Sequence, residues 1–243
     1  MNFSNILKKP GLSGSTLKIL AIIIMAIDHF GAVVISQGIL GNPAIRADHA
    51  LWQNWYTFYR ITRNIGRSAF PIFCFLLVEG FLHTSNLKRY TLRLFLFALI
   101  SEIPFNLAIS GTLLSPHYQN VFFTLLIGLI TIAAADRFRD KPPVQGLIFA
   151  AGMVLAYFLE TDYDYKGVLL IVILYAFRYN RLQQVIWGAI SVFWEIFAVF
   201  AFPFIWLYNG KRGIRLRSFF YWFYPLHLLA FWGIAQLLLK YVH

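Results

Sequence analysis

Apolar runs follow one another along almost the whole of this chain, separated by short polar or basic connections. That pattern leaves few folds open. Backbone groups inside lipid find no water to bond, so only helices and closed barrels cross a bilayer. A barrel needs segments of about ten residues that alternate apolar and polar, and blocks such as Val168–Phe177 do not alternate. A soluble domain carries roughly a quarter of charged residues, whereas 13% of these 243 residues are charged and 59% are hydrophobic. The chain is therefore expected to be all-α, a polytopic transmembrane bundle of about 8–10 spans with some short or broken helices. Candidate helices run roughly over 17–36, 68–83, 91–109, 120–135, 144–160, 167–178, 184–207 and 219–240. No convincing repeat and no Pro/Gly/Ser linker divides them, so a single membrane domain is expected over 1–243.

The formal net charge of +11 would suggest nucleic acid in a soluble protein. Here the cations sit in short loops that orient helices, no base-stacking platform accompanies them, and no nucleic-acid partner is expected. Lys8, Lys9 and Lys18 place the N-terminus in the cytoplasm, and no small-residue cleavage site marks a signal peptide. Alternation then puts Lys88, Arg89, Arg93, Arg137, Arg139, Lys141, Arg178 and Arg181 inside, with 111–119 and 160–166 outside. Two stretches resist. The outer segment 37–65 carries Arg46, Arg60 and Arg63 among aromatics and reads as an amphipathic piece at the interface, its arginines suited to lipid headgroups or an anionic substrate. A single crossing by 184–207 would leave Lys211, Arg212, Arg215 and Arg217 outside. A hairpin broken near Glu195 or Pro203 returns them to the cytoplasm, and is favoured. The lone Cys74 excludes an internal disulfide and reads as packing.

Asp28 and His29 stand side by side inside the first apolar run, although an ionisable group in mid-membrane costs roughly 2.5–3.5 kcal/mol on insertion scales. The two lie about 100° apart on a helix, so each should meet another span. His29 suits a general base, its ordinary pKa being near neutrality. A buried neutral histidine bonded to a carbonyl is the structural alternative. Asp28 would hold a cation such as Arg67 or Lys166, or orient a second imidazole. Arg67 either snorkels to headgroups or clamps a carboxylate or phosphate. Glu79 fits a salt bridge to the inner loops. Glu102 and Asn106 are four apart beside the kink expected at Pro104, and Asn120 and Thr124 repeat that spacing. Asp162, Asp164 and Lys166 add charges at the outer level, unless they are simply a solvated loop. His227 follows Tyr224 by three residues, sharing its face, with Pro225 between them. On the inner side, Tyr208, Asn209, Lys211, Arg212, Arg215 and Arg217 combine turn glycines with cations. They would form an anion nest suited to phosphates, or serve only as topological charge. Six histidines show no His-x-x-x-His spacing, so no metal site is expected.

Taken in order, Lys18–His29, Gly66–Pro71, Ser101–Asn106, Asn120–Thr124, Asp162–Gly167, Tyr208–Gly213 and Phe223–His227 together resemble the TraX family over nearly the whole chain. That family is named for the conjugative-pilin N-acetylase of bacterial inner membranes. It is similar in turn to the wider group of integral-membrane acyltransferases that includes the acyltransferase-3 enzymes and the heparan glucosaminide acetyltransferases. The resemblance implies acetyl-CoA or a related donor, a multi-pass protein of the bacterial cytoplasmic membrane, and an acceptor such as a pilin N-terminus or an envelope glycan. His29 matches the first-span histidine that recurs as a catalytic feature in the acyltransferase-3 branch. Placement in the family pattern assigns Asp28, Glu102 and His227 to catalysis. It assigns Arg67, Asn106, Asn120, Asp162, Asp164 and Lys166 to the substrate or oxyanion.

The expected function is acetyl transfer from cytosolic acetyl-CoA to an amine or hydroxyl. CoA phosphates would dock on the inner basic loop, and His29 would act as base or carry the acetyl group itself. A proton-coupled transporter or flippase is the main rival, since proton relays use the same residue types. Its usual internal repeats are missing. A scaffold for envelope assembly would leave the buried charges without a purpose.

Overall fold

The computed structural model describes residues 11–214 and 217–241, which leaves Lys8, Lys9 and Arg215, together with the Arg217 side chain, outside the described residues. Helix α1 (Gly14–His29) starts where Ser13 Oγ accepts the Thr16 N–H at 3.2 Å, satisfying one of the free donors of a first turn. It runs directly into π-helical turns over Phe30–Ile39, so the first apolar run becomes one helix of 26 residues. A short α2 (Pro43–Ala47) leads to α3 (His49–Gly66), whose cap is Asp48 Oδ1 on the Leu51 N–H. α4 (Ala69–His83) follows after a single turn. α5 (Leu87–Ser110) ends at Gly111, where φ of 69° needs a residue without a Cβ. Then come α6 (Val121–Asp136), α7 (Pro142–Phe158), α8 (Asp164–Ala176), α9 (Arg181–Ser191), a 3₁₀ segment (Ile196–Ala201), α10 (Phe202–Trp206) and α11 (Arg217–Tyr241). The fold is an all-α bundle, and the described residues contain only two isolated β-bridges.

Four continuous helices, Gly14–Ile39, His49–His83, Leu87–Ser110 and Phe219–Lys240, are long and apolar enough to cross a membrane. α6 and α7, with 16 and 17 residues, reach only about 24–26 Å at 1.5 Å per residue, short of the roughly 30 Å of hydrocarbon. Outward-facing Leu147, Phe158, Phe193 and Phe200 are exposed, a surface suited to lipid tails rather than water. The interior is filled by Leu17, Ala21, Ile72, Phe75, Leu129 and Ile171, none with appreciable exposure.

The segment 37–65 corrects the expectation of a piece lying at the interface. α3 packs lengthwise and antiparallel on the outer half of the first helix, with Gly66 against Asp28 and Thr62 against Gly31. With α4 it forms a 35-residue helix, so Arg63 and Arg67 lie within the second span rather than in a loop before it. The amphipathic pattern is real, but its polar face turns toward other helices, where a carboxylate is waiting.

Residues 184–207 form the hairpin rather than one crossing. α10 folds back on α9 so closely that the Phe202 ring occupies the space a Cβ on Gly188 would take. At the open end the Arg181 guanidinium lies 5.3 Å from the Tyr208 ring centre and 3.7 Å from Glu79. At the tip Glu195 faces Arg67 at 3.4 Å. Residues 208–213 thus return to the end of the bundle that carries Arg178 and Arg181. They are stapled there to the start of α1: Gly14 N–H donates to Lys211 O at 2.8 Å and Ser15 N–H to Arg212 O at 3.0 Å. At the other end the loops before α6 and α8 are stitched by Gln119 N–H to Glu160 O and Asp162 N–H to Gln119 O.

Candidate active site

Between the first helix, α3, the start of α4 and α11 lies a cavity of about 340 Å³, roofed by the stitched outer loops. Of the residues singled out in the sequence, Asp28, His29, Arg67 and Asp162 line it, and Arg63, Gln37, Tyr59, Tyr118, Tyr163 and Tyr224 join them. The π-helical turns contribute Ala32, Ser36 and Gln37; such turns are rare and concentrate at functional sites.

His29 Nδ1 lies 2.6 Å from His227 Nε2, and His227 Nδ1 lies 2.7 Å from the Phe223 carbonyl. Bonding alone assigns the tautomers. A carbonyl only accepts, so His227 Nδ1 carries a hydrogen and its Nε2 presents a lone pair. His29 Nδ1 must therefore donate, which leaves His29 Nε2 as an acceptor on a side chain that lines the cavity. The pair joins α1 to α11 across 198 residues of sequence. His227 does not line the cavity; it orients His29, as the third member of a nucleophile–base–orienter set does. Tyr224, one helical turn before it, packs edge-on to His29 with ring centres 5.8 Å apart. Its hydroxyl is buried and makes no hydrogen bond.

Asp28 pairs with Arg63, which corrects the expectation of Arg67, Lys166 or a second imidazole as its partner. The contact needs Gly66, since any Cβ there would occupy the place of the Asp28 carboxylate. Only Oδ2 is engaged; Oδ1 is buried without a partner. Arg67 is held by Glu195 from the hairpin tip, and beside them Tyr163 lies flat on Phe70 with ring centres 3.7 Å apart. Asp162 accepts the Tyr118 hydroxyl at 2.6 Å, and its carbonyl accepts from Thr124. Burial pushes the Asp162 carboxyl above the usual range, against the lowering pull of Tyr118, Arg63 and Arg67. Around it Glu160, Tyr163 and Asp164 hold left-handed backbone, with φ of 49°, 65° and 50°, a strained arrangement for side chains with a Cβ.

The other candidates sit elsewhere. Glu102, Asn106 and Asn120 form their own cluster outside the cavity lining. Asn120 Nδ2 donates to Glu102 Oε2 at 2.5 Å and to Ala98 O at 2.8 Å, its Oδ1 caps α6 at the Phe122 N–H, and Asn106 donates to Glu102 at 3.3 Å. This ties α5 to α6 and leaves no free amide on Asn120. Lys166 lies over the Trp194 ring at 4.6 Å, and Asp164 opens α8. In the inner loop the Lys211 N–H donates to Asn209 Oδ1 and the Ile214 N–H to Ser15 Oγ. Those backbone donors are therefore spent within the fold. The Lys211 and Arg212 side chains remain exposed, while Tyr208 and Asn209 are half-buried.

Among thirteen tyrosines scattered along the chain, the spacing to His227 distinguishes Tyr224, whereas no sequence signal marks Tyr118 or Tyr163 as site residues. Sequence reasoning noticed Arg63 but placed it at the interface. A helical reading of 49–66 gives the available signal, since Tyr59, Arg63 and Gly66 fall on one face. The chain matches the TraX protein family over residues 13–235. A relative from Dichelobacter nodosus, described as "Probable fimbrial assembly protein FimC, serogroup H1", is 29% identical, the match covering 89% of this chain and 93% of the relative. No solved structure matches. With the family match reaching from the cap of α1 into the last turns of α11, and with each motif of the resemblance inside it, this chain belongs to the TraX family.

Proposed function

We propose that this protein is an acyltransferase of the bacterial cytoplasmic membrane that moves an acetyl group from acetyl-CoA to a primary amine. The observation that carries the reading is the His29–His227 pair, which holds one imidazole nitrogen as an acceptor in a cavity that also contains two carboxylates. Family membership supports acyl transfer, and the relative's description as a fimbrial assembly protein supports a pilin-type subunit as the source of the amine. Asp28 Oδ1, buried and unpartnered, offers an acceptor to an amine N–H, while Arg63 and Arg67 in the same wall balance the charges of Asp28 and Asp162.

The acceptor loses its extra proton to solvent and reacts as the neutral amine; as its nitrogen bonds the thioester carbonyl carbon, His29 Nε2 takes the proton that the nitrogen then gives up. The resulting imidazolium is held by its Nδ1–H bond to His227. The Tyr224 hydroxyl and the Arg67 guanidinium, both in the cavity wall, are the donors available to the tetrahedral oxyanion. Collapse breaks the carbon–sulfur bond, and the departing CoA thiolate recovers the proton from His29. CoA phosphates are assigned to the exposed Lys211 and Arg212 side chains. From Ser15, which bonds the Arg212 carbonyl, to His29 is about 21 Å along α1, past Leu17 and Ala21, which are fully buried. Helices must part along this route to admit the pantetheine arm.

Purified protein in detergent, given acetyl-CoA and a peptide with a free amino terminus, should release CoA thiol and acetylated peptide in equal amounts. Proton flux in liposomes without any acetyl transfer would reject this reading in favour of a transporter.

A further inference from the structure

A second open space of about 560 Å³ adjoins the catalytic cavity, and the two share Ser36 and Tyr59 in their walls. One face of α3 lines both. His49, Trp52, Tyr56 and Tyr59 face the outer groove, and the same face continues through Tyr59, Arg63 and Arg67 into the cavity. From His49 to Arg67 this is a continuous wall of roughly 27 Å. Along it the rings form a ladder: Trp52 stacks on Tyr56 at 5.0 Å with 9° between planes, and Tyr56 on Tyr59 at 5.9 Å with 30°.

The geometry points to this groove as the subsite for the part of an extended polypeptide acceptor that follows its reacting amino terminus. The proposal rests on the acyl-transfer reading above and adds where, and by what chemistry, the acceptor chain lies. From Tyr59 to Trp52 is about 10 Å along the helix, the length of about three residues of extended peptide. Ring faces and phenolic hydroxyls suit peptide planes and apolar or aromatic side chains. No carboxylate or carboxamide lines the outer groove among the described residues, so an acidic or neutral chain meets no like charge there. At the inner end Asp28 and Asp162 are balanced by Arg63 and Arg67, while the mouth carries Arg46 with no acidic residue beside it among the described lining residues. An acceptor with acidic or neutral residues behind its amino terminus is matched, and one with basic residues there is disfavoured.

The test uses full-length protein in detergent and a hexapeptide amide of alanine, leucine and glutamate, with a free amino terminus and a fluorophore at the far end. Its binding is measured by anisotropy beside that of the matching dipeptide. The expected result is tighter binding of the hexapeptide, with Trp52→Ala reducing the hexapeptide-to-dipeptide affinity ratio about tenfold, the scale of one lost stacking contact. Tyr56→Ala reports the same ratio should Trp52→Ala fail to fold. An unchanged ratio in the variants, no preference for the hexapeptide in the wild type, or displacement of the peptide by a neutral hexasaccharide would each overturn the proposal. Trp52-dependent peptide binding without acetylation would instead sink the acyl-transfer reading and leave the groove standing.

Discussion

At the scale of single residues the account turns on which imidazole nitrogen is free. The Phe223 carbonyl fixes the His227 tautomer, and His227 fixes that of His29. A side chain that can accept the His29 Nδ1–H should therefore preserve catalysis better than one that cannot. His227→Gln, which places an amide oxygen in that role, is expected to retain more activity than His227→Leu. The leucine variant should lose about 10²–10⁴ in kcat, the range associated with a general base in the wrong tautomer. Steady-state rates of both variants, with circular dichroism to show an intact bundle, check this; equal losses would mean that His227 acts only through packing. The sequence marks His29 and His227 individually, by their settings, but nothing in it brings together two positions 198 residues apart.

At the scale of elements, Asn120 shows how a residue can look catalytic and be architectural. Its Oδ1 caps α6 and its Nδ2 bridges to Glu102 and Ala98. Asn120→Ala is predicted to lower stability by about 1 kcal/mol from the cap alone, with a further loss from the stranded Glu102, while kcat changes little. Chemical denaturation and initial rates measured on the same preparation check both parts. Spacing made some of this legible: Glu102 and Asn106 do hydrogen-bond at i,i+4. Long apolar runs likewise revealed α4, α5, α6 and α11, because lipid-facing and core-facing positions are both apolar and the run has no gaps. α3 escaped for the opposite physical reason. It buries little, and its arginines and tyrosines read as headgroup contacts until Asp28 and the cavity appear opposite them.

At the scale of the whole molecule, the hairpin and the two staples decide which loops share a side. Arg181 meets Tyr208, and the start of α1 meets Lys211 and Arg212. The loop before α6 joins the loop before α8 at the opposite end. In a Cys74→Ala background, single cysteines replacing the exposed Tyr179 and Lys211 should be labelled by a membrane-impermeant reagent from the cytoplasmic side only. One replacing Leu114 should be labelled from the other side only. Labelling of positions 179 and 211 from opposite sides would dissolve the hairpin and remove the basic loop from reach of cytosolic CoA.

The claim that binds these scales together is that His29 is the base in a chamber built by separate spans. The most direct measurement is the rate of acetyl transfer by purified His29→Ala beside the wild type, with retained CoA binding and unchanged thermal unfolding as controls. The account predicts a loss of about 10²–10⁴ in kcat; a folded His29→Ala protein that still transfers acetyl groups at the wild-type rate would contradict it.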